Sequence, residues 1–151
     1  MDNTITLHLA SLDETTALAT RFAAILKAGD CLLLSGEIGA GKTAFCRSLI
    51  QARLGRLEDV PSPTFTLVQT YDANDVEIWH CDLYRLSDPD EIIELGLDAA
   101  FDDAICLIEW PDRLGDLAPA AASHLSFAAG DDGHRAVLEL SSDLLRRYNG
   151  A

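Results

Sequence analysis

The order of hydrophobic patterns in this 151-residue chain predicts an α/β fold of three layers, with a central mixed β-sheet flanked by helices. Strand and helix patterns alternate early in the chain, which is typical of parallel strand pairs. Two hairpin patterns follow in the middle and at the end, and a hairpin requires antiparallel neighbours. Because no repeat, low-complexity tract or long linker divides the chain, residues 1–151 are predicted to form a single domain.

The first half of the chain predicts two strand–helix units. Residues 5–9 alternate apolar and polar side chains, as a half-buried strand does. Ser11 and Glu14 form a capping box, and the apolar positions after them predict a helix that runs to Gly29. An apolar strand then leads through a glycine-rich loop into a second helix, which is expected to end near Gly55.

The second half predicts hairpins, short helices and one more buried strand. Segments 64–71 and 76–82 flank a polar turn and are predicted to pair as a hairpin. An acidic cap at Asp88 begins a short predicted helix that stops at Gly96. The remaining predicted elements are a strand over 104–109, a hairpin over 126–140 and a terminal helix over 142–148.

The glycine-rich loop identifies the class of ligand. It matches the pattern G-x-x-x-x-G-K-[ST] with the run Gly36-Glu37-Ile38-Gly39-Ala40-Gly41-Lys42-Thr43. Glycines let backbone N–H groups approach phosphate oxygens, and the following helix adds the positive end of its dipole. Lys42 is predicted to bridge the β- and γ-phosphates, and the Thr43 hydroxyl to bind Mg²⁺. The domain is therefore predicted to be of the P-loop NTPase type, with a nucleoside triphosphate and magnesium as ligands.

Two apolar strands end in carboxylates suited to a hydrolase site. Segment 105–109 ends in Glu109, like a Walker B element with Glu in place of Asp, and segment 76–82 ends in Asp82. Hydrolysis of a triphosphate requires acids at neighbouring strand ends, which hold magnesium and orient the attacking water. Either residue alone is readily explained as an ordinary acid where a strand meets solvent, and that explanation weakens because both follow apolar strands that could lie beside the strand before the loop. Spacing does not decide which of the two contacts the metal.

Four further residues stay open between functional and structural interpretations. Thr64 lies in a proline-flanked loop, where its hydroxyl either meets the γ-phosphate or magnesium or belongs to a turn before a strand. His80 is a candidate general base, although a lone histidine on an apolar strand is more often structural. Core packing is favoured for Trp79, whereas Trp110, at a strand end, is more open to function.

The overall composition excludes some classes of partner. Asp and Glu number 25 against 11 Lys and Arg, so the net charge is −14. Such a surface repels polyphosphates, and any nucleic acid is expected to be held by a basic partner. No apolar run approaches the roughly 18 residues of a membrane span, and the start lacks a signal pattern. The four cysteines lack metal-site spacing, so they are predicted to be buried in a cytoplasmic, reducing environment.

Four segments, in this order, resemble the TsaE (YjeE) family of ATPases, and the resemblance covers roughly Asp13 to Arg113, most of the chain. The segments are Gly36–Thr43, Ser62–Val68, His80–Leu86 and Ile108–Pro111. The resemblance implies a Mg²⁺-dependent ATPase that works with a heterodimer of TsaB and TsaD. It implies that this assembly attaches threonylcarbamoyl to the adenosine beside the anticodon of certain tRNAs, with the tRNA held mainly by the partners.

The resemblance also implies roles for single residues. By position, Thr43 and Glu109 are similar to the magnesium-site residues, Lys42 to the phosphate lysine and Asp82 to a second acid needed for hydrolysis. Lys42, Asp82 and Glu109 are therefore the predicted catalytic residues, and Thr64 matches a switch-like loop. The full predicted nucleotide-binding set is Gly36, Glu37, Ile38, Gly39, Ala40, Gly41, Lys42, Thr43, Ala44 and Thr64.

Other nucleotide-dependent functions are weighed against this one. A small-molecule kinase is disfavoured because 151 residues leave little room for a lid and an acceptor site. A GTPase is disfavoured because the chain has no N-K-x-D motif. A non-catalytic module in which ATP only organises a protein interface remains an alternative. The leading hypothesis is an ATP hydrolase that is weak alone and stimulated by its partners.

Overall fold

The computed structural model describes residues 4–37, 40–56, 58–61, 63, 66–88, 90–130 and 133–150. Seven strands are found in these residues, namely β1 (Thr4–Leu9), β2 (Cys31–Gly36), β3 (Val68–Asp72), β4 (Glu77–Asp82), β5 (Ile105–Glu109), β6 (Ser123–Gly130) and β7 (Gly133–Glu139). The α-helices are α1 (Leu12–Ile25), α2 (Lys42–Leu54), α3 (Asp90–Glu94), α4 (Leu97–Asp103) and α5 (Ser142–Gly150). A 3₁₀ helix spans Pro111–Leu117.

All seven strands form one mixed sheet in the order β1-β7-β6-β2-β5-β4-β3. The four strands β6, β2, β5 and β4 run parallel to their neighbours within this group. Strand β3 pairs with β4 in the antiparallel sense, and β7 pairs in that sense with both β6 and β1. The α/β prediction with a mixed sheet and two hairpins is confirmed.

Helices cover both faces of the sheet, as the three-layer prediction requires. On one face, α1, α2 and α5 join at a cluster of rings, where Phe22 lies 5.9 Å from Phe45 and 5.6 Å from Tyr148 between ring centres. On the other face, Ile92 of α3 and Leu97 of α4 are fully buried in a second apolar cluster. No helix within the described part of the chain has both the length and the hydrophobicity to cross a membrane.

Local hydrogen bonds explain where the first helix begins and ends. The Ser11 hydroxyl accepts from the N–H of Glu14 at 3.4 Å, which is the predicted cap. The helix ends at Ile25 and not at the predicted Gly29, because Leu26 already adopts an extended conformation (φ −71°, ψ 145°). The prediction from hydrophobic spacing therefore placed the end of this helix four residues too late.

The sequence interpretation was wrong at several boundaries in the middle of the chain. Strand β3 begins at Val68, and residues 64 and 65 of the predicted strand lie outside the described residues. The helix α4 and the 3₁₀ helix were not predicted. Gly96 explains the first omission, because it ends the α3 region with a left-handed φ of 83° and is at the same time the N-cap of α4.

Candidate active site

Three neighbouring strands bring the predicted site residues to one edge of the sheet. Strand β2 ends at Gly36, and α2 begins at Lys42 after the glycine-rich loop. Parallel register sets Leu34 of β2 opposite Glu109 of β5, and Glu109 opposite Asp82 of β4. Because paired residues in parallel strands lie side by side, the two predicted acids are neighbours beside the loop.

Glu109 is the centre of the hydrogen bonding at this edge. Its Oε1 accepts from the Thr43 hydroxyl at 2.9 Å, and its Oε2 lies 2.7 Å from Nε2 of His80. The carboxylate is 2% exposed and the imidazole 0%, so both are held away from solvent. Glu109 therefore ties the first turn of α2 to the two strands β4 and β5.

The oxygen atoms of this cluster fit a magnesium ion. Octahedral Mg²⁺ with ligands at about 2.0–2.1 Å requires adjacent oxygens roughly 2.9 Å apart. The hydrogen bond from Thr43 Oγ1 to Glu109 Oε1 already holds the two oxygens 2.9 Å apart, a separation that two adjacent ligands of such an ion could keep. Asp82 adds a second buried carboxylate on the next strand, where its Oδ1 accepts from the N–H of Tyr84 at 3.0 Å. Hydroxyl and carboxylate oxygens are the hard ligands that Mg²⁺ prefers.

Lys42 is a buried cation at the start of α2. Its Nζ donates to the carbonyl oxygen of Gly36 at 2.5 Å and lies 3.8 Å from the centre of the Trp110 ring. Burial lowers the pKa of Lys42 more than the nearby carboxylates of Glu109 and Asp82 raise it. An anion bound next to this ammonium would stabilise its charged form and so offset the effect of burial on its pKa.

Two glycines of the loop adjoin the β6–β7 hairpin in conformations that favour glycine. Gly36 has a φ of 139°, and a Cβ there would lie 2.4 Å from the carbonyl oxygen of Phe127. Gly41 has a φ of 106°, and a Cβ there would lie 3.2 Å from Nδ1 of His134. Both φ angles lie in the region that L side chains rarely adopt. The loop therefore depends on glycine at these positions before any phosphate is considered.

The other residues of the predicted nucleotide set differ in exposure. Glu37 is exposed, whereas Ala40 is buried and donates its N–H to the Glu37 carbonyl at 3.1 Å. Ala44 lines a cavity next to the loop. The predicted residues Ile38, Gly39 and Thr64 lie outside the residues that the structure describes.

The cavity beside the loop joins the predicted residues Gly41 and Ala44 to residues that the sequence did not associate with the site. It measures about 200 Å³ and lies between the start of α2, the β1–α1 connection and the start of β7. Its lining is formed by Leu9, Ala10, Ser11, Leu12, Thr15, Gly41, Ala44, Gly133 and His134. The sheet order places β1 and β7 on the same side of β2, so residues near both ends of the chain meet here. No local pattern marks them, because their proximity depends only on strand order.

The structure also shows the surroundings of Trp79, Trp110 and His80, whose roles the sequence left undecided. Trp79 packs partly buried against the second apolar cluster, and its Nε1 donates to Glu77 at 2.5 Å. Trp110 instead covers the ammonium of Lys42, and its ring lies 4.9 Å from that of Tyr84, which is 45% exposed. His80 lies entirely inside the protein against Glu109, with no exposure to a substrate.

Known proteins share both the sequence and the fold. Residues 9–137 match the family model described as threonylcarbamoyl adenosine biosynthesis protein TsaE. The tRNA threonylcarbamoyladenosine biosynthesis protein TsaE of Rickettsia bellii is 43% identical over 127 residues, which cover 84% of this chain and 88% of that protein. The Bacillus subtilis protein of the same name is 38% identical over 122 residues, or 80% of this chain and 75% of that protein. The crystal structure of Bacillus subtilis YdiB matches with a TM-score of 0.81 and 28% identity, covering 99% of this chain and 94% of that one.

Proposed function

The chain belongs to the TsaE family of threonylcarbamoyl adenosine biosynthesis proteins, and on this premise we propose that it is the Mg²⁺-dependent ATPase subunit of a tRNA-modifying assembly. It hydrolyses ATP in support of threonylcarbamoyl transfer to the adenosine next to the tRNA anticodon. One observation carries the proposal. The hydroxyl of Thr43 and the carboxylate of Glu109 lie 2.9 Å apart at the end of the glycine-rich loop, as two ligands of one magnesium ion would.

Each site residue has a distinct part in hydrolysis. Lys42 and the loop N–H groups neutralise the phosphate oxygens, and Thr43 with Glu109 holds the metal. Magnesium supplies further positive charge against the β- and γ-phosphates when it is bound. Asp82, the buried acid opposite Glu109, orients the attacking water.

The cavity next to the loop is proposed to take the nucleoside part of ATP. It adjoins Gly41 and Ala44, so a phosphate chain on the loop leads directly to it. Its walls are mostly apolar, with Ser11, Thr15 and His134 as the polar residues of the lining. Small-molecule sites commonly combine apolar walls with a few polar groups.

Partners are proposed to complete the activity. A net charge of −14 opposes binding of tRNA by this chain alone, so a partner complex holds the tRNA. The resemblance to the family suggests a TsaB–TsaD-type heterodimer in this role. Hydrolysis by the isolated chain is accordingly expected to be slow and to be stimulated by the heterodimer.

The test measures ATP hydrolysis and tRNA modification with the purified chain, its TsaB–TsaD counterparts, Mg²⁺ and tRNA. Stimulation of hydrolysis by the heterodimer, and modification that depends on this chain, are expected. The variant Asp82→Asn should hydrolyse ATP about 100-fold more slowly or worse, while a fluorescent ADP analogue still binds. Arg146→Met, on an exposed side chain of α5, is the matched control and should behave as the wild type.

Two outcomes would favour the alternative functions. Full modification by an Asp82→Asn variant that binds nucleotide but no longer hydrolyses ATP would show that ATP binding suffices, which is the behaviour of a nucleotide-sensing module. Transfer of the γ-phosphate to a hydroxyl compound in preference to water would indicate a kinase.

A further inference from the structure

His80 supplies the contact to the second oxygen of Glu109. It lies on β4 opposite Leu107 of β5, and its ring is 0% exposed. Its Nε2 lies 2.7 Å from Oε2 of Glu109. The other ring nitrogen, Nδ1, is buried and has no hydrogen-bond partner among the residues that the structure describes.

Packing alone does not account for an imidazole at this position. A buried polar atom without a partner carries a free-energy cost that an apolar side chain on β4 would avoid. His80 bears this cost at Nδ1 while its Nε2 contacts a carboxylate that is itself 2% exposed. The contact with Glu109 is therefore the feature that distinguishes histidine from an apolar residue here.

The consequence concerns how many oxygens Glu109 offers to a cation. Because His80 occupies Oε2, only Oε1 faces the Thr43 hydroxyl. Mg²⁺ is satisfied by single carboxylate oxygens in an octahedral arrangement at about 2.0–2.1 Å. Ca²⁺ takes about 6–8 oxygens at longer distances and often binds both oxygens of one carboxylate. A carboxylate held by one oxygen thus suits the smaller cation.

We infer that His80 is a positioning residue that holds Glu109 with a single oxygen toward the cation, and that it thereby makes the site prefer Mg²⁺ to Ca²⁺. The inference rests on the proposed function, since it assumes that the loop binds a nucleotide together with a divalent cation. It assigns His80 no proton transfer and no contact with substrate.

The experiment compares two substitutions of similar length in the full chain. His80→Gln keeps an N–H donor for Glu109, whereas His80→Met removes it with little change in side-chain length. Binding of a fluorescent ADP analogue is measured as either Mg²⁺ or Ca²⁺ is added, and the midpoint concentrations are compared. The Met variant should raise the Mg²⁺ midpoint by about 10- to 100-fold, the usual effect of losing a residue that orients a metal ligand. Its preference for Mg²⁺ over Ca²⁺ should shrink, and the Gln variant should recover most of it.

A purely structural role gives a different result. In that case the Met variant would unfold at a lower temperature but would keep the wild-type ratio of Ca²⁺ to Mg²⁺ midpoints, which would overturn the inference. Should the Met variant fail to fold, nitrogen-15 NMR of the wild type decides. The Nε2 proton of His80 is expected to stay hydrogen-bonded to Glu109 after Mg²⁺ and ADP are added, and its release would overturn the inference.

The same measurements separate this inference from the proposed function. A wild-type chain that binds no ADP analogue with either cation would refute the nucleotide site, and the role of His80 with it. Wild-type binding with Mg²⁺ preferred, joined to an unchanged ratio in a folded Met variant, would refute the role of His80 alone.

Discussion

The ammonium group of Lys42 lies 3.8 Å from the centre of the Trp110 ring and donates to the carbonyl oxygen of Gly36 at 2.5 Å. An ammonium has three N–H donors, so the bond to Gly36 can remain while the other donors reach phosphate oxygens, whereas the contact with the Trp110 ring competes with a phosphate. A cation over an indole face is held by about 0.5–2 kcal/mol, whereas a phosphate offers a full opposite charge. Phosphate binding is therefore expected to draw Lys42 from the ring.

The fluorescence of Trp110 should report this movement. The chain has two tryptophans, so a Trp79→Phe variant leaves Trp110 as the sole emitter. Addition of ADP and Mg²⁺ to this variant should change the emission intensity, because a charge beside the indole is displaced. Trp110→Phe, which leaves only Trp79, is the control and should give no response. An unchanged Trp110 signal at saturating nucleotide would show that Lys42 stays on the ring.

The sequence predicted the loop and its acids because their signals are local. Glycines at fixed spacing, an apolar strand before them and a helix after them define the loop without reference to the rest of the fold. Glu109 and Asp82 could be named because each ends an apolar strand. Their pairing across β4 and β5, and the bond from Thr43 to Glu109, depend on register and could only be hypothesised.

Features that depend on strand order were out of reach. His134 lies next to Gly41 although 93 positions separate their numbers, because β7 returns beside β1. The role of His80 was likewise undecided, since a single sequence does not show which side chain faces an imidazole. The helix α4 was missed for a different reason, as Gly96 signals an end and a beginning at once.

Gly36→Ala tests the close approach of β6 to the loop. The added Cβ would lie 2.4 Å from the carbonyl oxygen of Phe127, and the φ of 139° is strained for alanine. The unusual φ alone costs about 1–3 kcal/mol, so the midpoint of urea unfolding should fall clearly. Gly150→Ala is the control, because nothing lies within 4 Å of its added Cβ. Equal midpoints for the two variants would contradict the described approach.

Arg147→Met tests the attachment of the terminal helix. Arg147 makes two hydrogen bonds to the carboxylate of Asp30, at 2.7 and 3.0 Å, and donates to the carbonyl of Ile25 at 2.5 Å. Losing these charged hydrogen bonds should lower the free energy of unfolding by about 2 kcal/mol. The neighbouring Arg146 pairs with Asp143 on the exposed side of the helix, so Arg146→Met should change it by less than about 0.5 kcal/mol. Similar losses from both substitutions would refute this distinction.

The cysteines should be unreactive in the folded protein. All four are buried and free, as the sequence predicted, and burial raises the pKa of the Cys31, Cys46 and Cys81 thiols well above the usual value. Burial raises the pKa of Cys106 to about 12. A raised pKa keeps each thiol protonated from neutral pH to beyond pH 9, and the thiolate is the reactive form.

A disulfide reagent at pH 8 measures this directly. It should modify none of the four thiols in the native protein and all four after unfolding in guanidinium chloride. The native thiols should remain unmodified at pH 9 as well, because their raised pKa values keep them protonated there. A thiol that reacts quickly in the native state would contradict its burial.

The approach of Phe127 to Gly36 has a consequence for where the nucleotide site ends. A fragment that stopped before β6 would retain the complete glycine-rich motif, both strand-end acids and Trp110. It would lack the hairpin backbone that adjoins Gly36 and the His134 ring that adjoins Gly41. The eight-residue motif thus forms only one side of the site, and residues about 90 positions later in the chain form the other side. Transplanting the motif into another protein would transfer its eight residues without the backbone of Phe127 and the ring of His134 that pack against its glycines.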